Sequence, residues 1–503
     1  PAHIKADLSP SWPIAAAKQL KKKPLEIAEG LKAAVSERYE AAVLPPGFLN
    51  FRLRDGDLIE AVRRICSDPA YFSDPARSAE KVNVEFVSAN PTGPMHLASG
   101  RGATLGDSLA RIMAFLGCRV EKEFYVNNMG RQVELLGLSL KARLRGEEPP
   151  EGGYKGAYLK DIAARLPADA ADWPDGRFSE FALGEILALH KADMKAFGVE
   201  FDRWFLESEL HAAGAPERAK AELAGRGMTY EKDGAVWLGT SSGMDSDDKD
   251  RVLVKSDGRN TYFLNDIAYH RDKFGRGFTK VIDIWGADHH GYVPRMEAAV
   301  SALGYGKDAF KVVIHQMVAL KRGTELVKMS KREGDFVSLK ELIDEVGTDA
   351  CRFFFAMHSP NSHMTFDIDL AKKRTNDNPV FYVQYVHARI CSIFNNALEK
   401  GVDPARGFDA AKLVLNEEER GLALKMMMMG KVLEACLRDW SPHQLTTYLS
   451  ELSALFHSFY DKHKVLDPSA PEASAFRLFL LKGVKNVIAS GLGLLGVSAP
   501  EKM

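Results

Sequence analysis

Hydrophobic and polar positions along this chain change rhythm several times, and each change predicts a different element. In "KVNVEFVSAN", Val82, Val84 and Phe86 alternate with polar residues, the pattern of a strand with one buried face. Downstream, Leu105, Leu109, Ile112, Met113 and Leu116 recur at helical spacing. The segment between them, "NPTGPMH", is a turn that leaves His96 at the mouth of the helix. "RVEKEFYVNN" then predicts a second strand, so the unit opens a parallel, doubly wound sheet. From "LRGEEPPEGGYKG" to "SSGMDSDDKDRV" the pattern is helical but punctuated, an insertion between two halves of the sheet. "RVLVKSDGRNTYFLNDIAYHRDKF" and "KVIDIWGADHHGYVPRMEAAV" restore the alternation. After "FDIDLAKKRTNDNP" there is no strand pattern as far as Met503, which predicts an all-helical domain. Ahead of the sheet, "KQLKKKPLEIAEGLKAAV" predicts a basic surface helix, "LPPGFLNFRL" a turn into a strand, and "SDPAYFSDPARSAEK" a linker.

Composition narrows what these elements belong to. With 503 residues, 46% hydrophobic and 27% charged, the chain has material for several cores and reads as a multi-domain globular protein. Its 67 basic and 68 acidic residues nearly cancel, so a nucleic-acid partner would be held by local patches rather than by net charge. The cysteines (Cys66, Cys118, Cys351, Cys391 and Cys436) form no close pair, which argues against a disulfide framework or a cysteine zinc site and fits a reducing cytoplasm. No long uncharged apolar run and no signal-peptide pattern occur, so the expectation is a cytoplasmic protein without membrane contact. The sequence opens at Pro1 without a methionine, so the first domain is expected to be incomplete at its start. The run "MMMM" at 426–429 reads as core methionine on a helix.

A turn that opens into a helix offers free N–H groups and the positive end of a dipole to a phosphate, which gives His96 a chemical setting. Alone, the turn is unspecific, because many parallel crossovers look like it. The second half supplies a partner, "ELVKMSKREGDF", with Lys328, Ser330, Lys331 and Arg332 in a short loop. Two lysines flanking a serine suit a triphosphate that is becoming pyrophosphate, since they stabilise charge as it develops. A lysine cluster by itself is usually a solvated loop. The pair, in this order on one sheet, is far more specific than either member.

These two segments resemble the HIGH and KMSKS signatures of class I aminoacyl-tRNA synthetases. More narrowly, "VEFVSANPTGPMH", "YFLNDIAYHRDKF", "FFFAMHSPNSHMTFDIDLA", "NPVFYVQYVHARI" and the final "LLGVSAPEKM" resemble arginyl-tRNA synthetases of the bacterial type, in order along essentially the whole chain. The resemblance implies an α/β fold: a class I Rossmann-like parallel-sheet catalytic domain over 76–365 with an insertion at about 140–250. A small α/β domain at 1–75 would read the tRNA D-loop, and an all-helical domain at 366–503 would bind the anticodon. It implies activation of L-arginine by ATP with Mg2+, transfer to tRNA(Arg), a requirement for tRNA in the activation step, and a monomer.

The resemblance also implies roles for residues. Pro94, His96, Ala98, Ser99, Lys328, Met329, Ser330 and Lys331 would hold ATP, with His96, Ser99, Lys328 and Lys331 acting on its phosphates. Glu85, Ser88 and Asn90, at the end of a strand, match positions that hold the amino acid. Tyr262 and Asp266 match the pocket wall, and a guanidinium, planar and always charged, is best held by carboxylates such as Asp266. Glu207 is a second candidate carboxylate, with a solvated surface residue as the alternative, and Asp288 would lie beside the substrate. Phe48 and Asn50, two apart on one strand face, would stack and bond a looped-out base, though a phenylalanine is more often core. Tyr382, Gln384, Tyr385, His387 and Arg389 would serve the anticodon. A zinc site at His289 and His290 lacks further ligands nearby, so no protein-bound metal is expected. One departure stands out: where the first signature has glycine and a second histidine, this chain has Ala98 and Ser99. It leaves open a paralogue that binds tRNA without charging it. A class I enzyme for another amino acid is disfavoured by Asp266 and the C-terminal motif.

Overall fold

The computed structural model describes residues 6–35, 39–240, 249–327 and 337–503. The amino-terminal region begins with two helices, Trp12–Leu20 and Pro24–Val35, not the single helix its basic pattern suggests. Lys21 adopts a left-handed conformation at the end of the first, and Pro24 opens the second, where its missing N–H costs nothing. A hairpin follows, strand β1 (Glu40–Leu44) paired antiparallel with β2 (Phe48–Arg52). Helix Asp55–Ser67, which the polar–apolar pattern did not reveal, buries Leu58, Ile59, Val62 and Ile65. It packs on helices Glu417–Met427 and Pro471–Leu494 of the carboxy-terminal region.

The central sheet is built from β3 (Lys81–Phe86), β4 (Arg119–Val126) and β5 (Arg203–Leu206). A small antiparallel sheet of β6 (Thr229–Lys232), β7 (Ala235–Leu238) and β8 (Arg251–Val254) intervenes. Strands β9 (Lys280–Gly286) and β10 (Phe310–His315) then complete the main sheet in the order β10–β9–β3–β4–β5, every pair parallel. A third sheet joins β11 (Val318–Arg322), β12 (Glu325–Val327) and β13 (Met364–Asp367). Two expectations need correction. The punctuated insertion is not wholly helical, because it contains β5, an edge strand of the main sheet too short to carry a clear alternation. Strand β3 is buried on both faces, since helices cover the sheet on each side, and its polar positions Asn83 and Glu85 are inside as well.

The helix Leu97–Phe115 follows the His96 turn and lies against β3, β4 and β9. Close approach is possible because Gly106 faces Phe86; a Cβ there would stand 2.3 Å from the ring. From helix Pro379–Glu399 onward the chain is helical, and its core is continuous with that beneath the main sheet. Met426 and Met429 are fully buried at the break between helices Glu417–Met427 and Met429–Arg438. No described helix is long and apolar enough to cross a membrane.

The Gly106 contact yields a prediction. Gly106→Ala gains about 1 kcal/mol of helix propensity, but overpacking against a fully buried ring costs about 1–3 kcal/mol. The variant should unfold at lower temperature; an equal or higher midpoint would show that Phe86 yields without loss.

Candidate active site

Parallel strands that end together create a crevice beyond their carboxyl ends. Here that crevice is formed by the segments after β3, β4, β5 and β9. After β3 the backbone turns sharply, with Val87 and Ser88 at φ 71° and 38°. The Ser88 hydroxyl donates to Glu85 Oε1 at 2.8 Å and accepts from the Tyr125 amide at 3.1 Å. Asn90 is exposed and Pro94 half-buried on the turn. His96 is the N-cap of the long helix, its Nδ1 accepting from the Ala98 amide at 3.2 Å. Ala98 and Ser99 are half-buried in the first helical turn, and the Ser99 amide donates to the His96 carbonyl. The expected partner residues Lys328, Met329, Ser330 and Lys331 lie outside the described residues.

Across the crevice stands an acidic wall. Helix Tyr262–Gly275 begins there, capped by Thr261, and spaces Asp266, His270 and Lys273 along one face. The Asp266 carboxyl accepts from the Tyr292 hydroxyl at 2.5 Å. Burial pushes Asp266 up to about 6, against the pull of Tyr292 and His270 and helped by repulsion from Glu85 and Glu207. Glu207 is not solvated: it is 6% exposed, starts helix Glu207–Ala212, and comes within 3.0 Å of the Asn127 amide nitrogen when that side chain is oriented to donate. Tyr125 stands among the same acids, its phenol held protonated by burial and by Glu207, Asp266 and Glu85. Tyr262 opens the same helix but is 80% exposed, and Asp288 sits on the single turn after β9, its side chain 77% exposed.

Sequence reasoning named Glu85 but missed the charges that surround it beneath this wall. Glu123, Glu85 and Asp283 are register partners on β4, β3 and β9, so three carboxylates lie abreast on one face of the sheet. Lys273 enters from the helix above, fully buried, with Nζ 2.5 Å from Glu85 and 2.9 Å from Asp283. His270 bridges Asp283, at 2.7 Å, and the Asp266 carbonyl, also at 2.7 Å. Burial raises Glu85 against the pull of Lys273. Asp283, equally buried, is brought down to about 2 by Lys273 and His270. Arg276 and the Tyr269 hydroxyl satisfy Glu123. The usable signal was the helical spacing of Asp266, His270 and Lys273, all polar on a face that must meet the sheet.

The remaining expected residues are divided. Phe48 is exposed at the start of β2, whereas Asn50, two residues along, is buried, with its amide oxygen accepting from Ser9 at 2.5 Å. On helix Pro379–Glu399, Tyr382, Tyr385 and Arg389 line a groove with His457 and Tyr460. Gln384 and His387 turn inward instead. Gln384 donates to Asp349 and to the Ser498 carbonyl, and His387 bonds the Pro500 carbonyl, so both fasten the carboxyl terminus. Among the described residues no cluster of three His, Cys, Asp or Glu side chains is arranged to hold a metal ion.

Family models match most of the chain. The model described as tRNA synthetases class I (R), catalytic domain, covers residues 62–155 and 206–367. The arginyl tRNA synthetase N terminal domain covers 2–53, and the DALR anticodon binding domain 383–503. The arginine–tRNA ligase of Elusimicrobium minutum is 52% identical over 100% of this chain and 94% of its own length. The chain belongs to the arginyl-tRNA synthetase family. Other members agree: the arginine–tRNA ligase of Thermotoga petrophila is 46% identical over 99% of this chain and 94% of its own. Among solved structures, the arginyl-tRNA synthetase of Thermus thermophilus superposes with a TM-score of 0.80 at 25% identity, covering 97% of this chain and 93% of that one. A methionyl-tRNA synthetase of Mycobacterium tuberculosis shares the fold at a TM-score of 0.58 and 12% identity.

Within this arginyl-tRNA synthetase site the buried lysine can be tested directly. Lys273→Met strands Glu85 and Asp283 without a counter-ion, and breaking a buried pair costs about 3–5 kcal/mol. Without Lys273 the folded-state pKa of both carboxyls rises above the unfolded value, so the penalty shrinks as pH falls and they take up protons. Urea unfolding should therefore show a larger loss at pH 7 than at pH 5. Equal losses would mean that packing, not charge, is what Lys273 supplies.

Proposed function

We propose that this chain activates L-arginine with ATP and transfers the arginyl group to tRNA(Arg). The observation that carries this reading is the pairing of half-buried Asp266 with buried Glu207 in the crevice beyond the strand ends, to which the His96 turn also belongs. The arginine carboxylate attacks the ATP α-phosphorus, forming arginyl-adenylate and releasing pyrophosphate. A ribose hydroxyl of the terminal adenosine of tRNA then attacks the arginyl carbonyl, and AMP leaves. Neither step needs an enzyme nucleophile; positioning and phosphate electrostatics supply the catalysis.

Asp266 and Glu207 take the guanidinium, with Tyr262 at the pocket mouth. Glu85, Ser88 and Asn90 hold the amino-acid end, and Asp288 flanks it. His96, Ser99, the backbone at Pro94 and Ala98, and Lys328, Met329, Ser330 and Lys331 hold ATP, with Lys328 and Lys331 on the departing pyrophosphate. Mg2+ would be held by the phosphate oxygens of ATP, whose charge it would neutralise; Glu85 and Asp283 are engaged with Lys273. Phe48 reads the D-loop by stacking, and Tyr382, Tyr385 and Arg389 receive the anticodon. The domains run over 1–75, 76–365 and 366–503, and the enzyme works as a monomer in the cytoplasm.

Arginine-dependent exchange between ATP and pyrophosphate tests the reading, with charging of total tRNA as its complement. Exchange that depends on arginine and on added tRNA supports it; binding of tRNA without either activity overturns it. The acid wall adds a pH dependence. Arginine binds the ionised form of Asp266, whose pKa of about 6 in the free protein means that affinity is full above it and lost as pH falls through it. Arginine KM should be flat above about pH 7 and rise by up to about tenfold per unit below pH 6. Asp266→Asn should remove that limb and lower kcat/KM for arginine by about tenfold to a few hundredfold, the value of a charge-assisted bond, with ATP KM unchanged.

A further inference from the structure

A carboxylate that must meet a planar guanidinium needs a fixed plane as well as a charge, because the bond is directional. Asp266 is the first acid of its helix, its neighbours Glu85 on β3 and Glu207 on helix Glu207–Ala212 repel it, and His270 contacts only its backbone carbonyl. The one side-chain hydrogen bond that orients its carboxyl among the described contacts comes from Tyr292. That phenol is held from three directions. Its ring meets Phe263 edge-on at 6.0 Å and Trp285 of β9 at 6.0 Å, and the Arg295 guanidinium stands 5.7 Å from its centre. Burial and Asp266 together keep the hydroxyl protonated, so it acts as a donor throughout the working pH range.

We infer that Tyr292 is a positioning residue of the arginine pocket: its hydroxyl holds Asp266 Oδ2 and so leaves Oδ1 aimed at the guanidinium. The inference rests on the reading of Asp266 as the guanidinium partner. Tyr292 touches neither ATP nor the reacting atoms in this arrangement and acts through Asp266 alone. Its effect therefore falls on arginine and not on the nucleotide. A donor to a carboxylate also favours the ionised form. The groups facing Asp266 are Glu85, Glu207, Tyr125, His270 and Tyr292, and of these only Tyr292 donates to its side chain. Removing the hydroxyl should move the acid limb of arginine binding to higher pH.

Three variants separate the possibilities: Tyr292→Phe, Asp266→Asn and the double substitution, each assayed by exchange of pyrophosphate with tRNA present. Tyr292→Phe keeps the ring and should raise arginine KM about tenfold to a hundredfold, the scale of one hydrogen bond to a charged group. ATP KM should stay within about twofold, and the acid limb should shift upward. In the Asp266→Asn background the same change should add less than about twofold, since the two residues act as one unit. If Asp266→Asn raises arginine KM but Tyr292→Phe does not, the inference fails and the pocket reading stands. If Asp266→Asn leaves arginine KM unchanged, the pocket reading fails first and the inference with it. Equal rises in arginine and ATP KM with no movement of the acid limb would reduce Tyr292 to a packing residue and overturn its assignment.

Discussion

Three carboxylates abreast on neighbouring strands are a constraint that the rest of the site must answer. Glu123, Glu85 and Asp283 share one face of the sheet in register, away from water. Uncompensated, such a row would not stay ionised, and like charges this close would push the strands apart. The answer is the helix Tyr262–Gly275, which delivers Lys273 and, just beyond its end, Arg276 onto the row. The register of that helix is thereby fixed, because a shift of one residue would turn the ammonium away from the sheet. His270 and Asp266, one and two turns earlier, inherit their positions from the same contact. The acid wall of the crevice is in this sense a consequence of how the charges underneath are balanced.

A second fixed point joins the sheet to the helical domain. Arg352, on helix Thr348–Ala356, is fully buried and bonds Asp107 of the His96 helix, the Phe197 carbonyl and the Leu495 carbonyl. Arg111 and Lys122 also reach Asp107, and together these cations outweigh burial and hold its carboxyl below the usual range. A Cβ at Gly496 would stand 2.3 Å from the guanidinium, and that residue sits at φ +66°, so the terminal segment needs glycine there twice over. The helix behind the His96 turn is thus referenced both to the sheet and to the carboxyl-terminal helices that carry Tyr382, Tyr385 and Arg389.

Elements with long periodic patterns were legible from sequence: the strand, turn and helix around His96, β4, and the helical carboxyl-terminal domain. Elements defined by tertiary contacts were not. Strand β5 is only Arg203–Leu206, too short for a period to emerge, and is a strand because β4 offers it an edge. Glu207 was a candidate carboxylate with a solvated position as its alternative, because nothing in its neighbours states that Asn127 and Tyr125 will close over it. Gln384 and His387 shared a motif with half-buried aromatics that line a groove, and only the path of the terminal segment past Ser498 and Pro500 turns them inward. The departure at Ala98 and Ser99 was visible at once, but its meaning depended on geometry. His96 still caps the helix through its ring nitrogen, so the local fold of the turn does not require the missing histidine.

The crevice is consequently electrically two-sided. On the side of helix Tyr262–Gly275, Asp266 and Glu207 face one another, and among the described residues the only basic side chain bonded to either carboxyl is the partly exposed His211. On the opposite side, the amino terminus of the His96 helix contributes a positive dipole end, and Arg101 adds a full charge one turn in. Its guanidinium is buried against the carbonyls of Gln316, Ser359 and Ser362, oxygens that solvate it but do not neutralise it. The cost is visible in Arg101 itself, which burial pulls down to about 10, and in His315, which burial and Arg101 drive down to about 4. Among the described contacts the Arg101 guanidinium meets only carbonyl oxygens, while the crowded acids stand on and beside helix Tyr262–Gly275. A cationic side chain set against those acids and a polyphosphate set at the terminus of the His96 helix would each meet the opposite charge. Such a charge distribution favours the pair in one orientation and opposes it in the reverse.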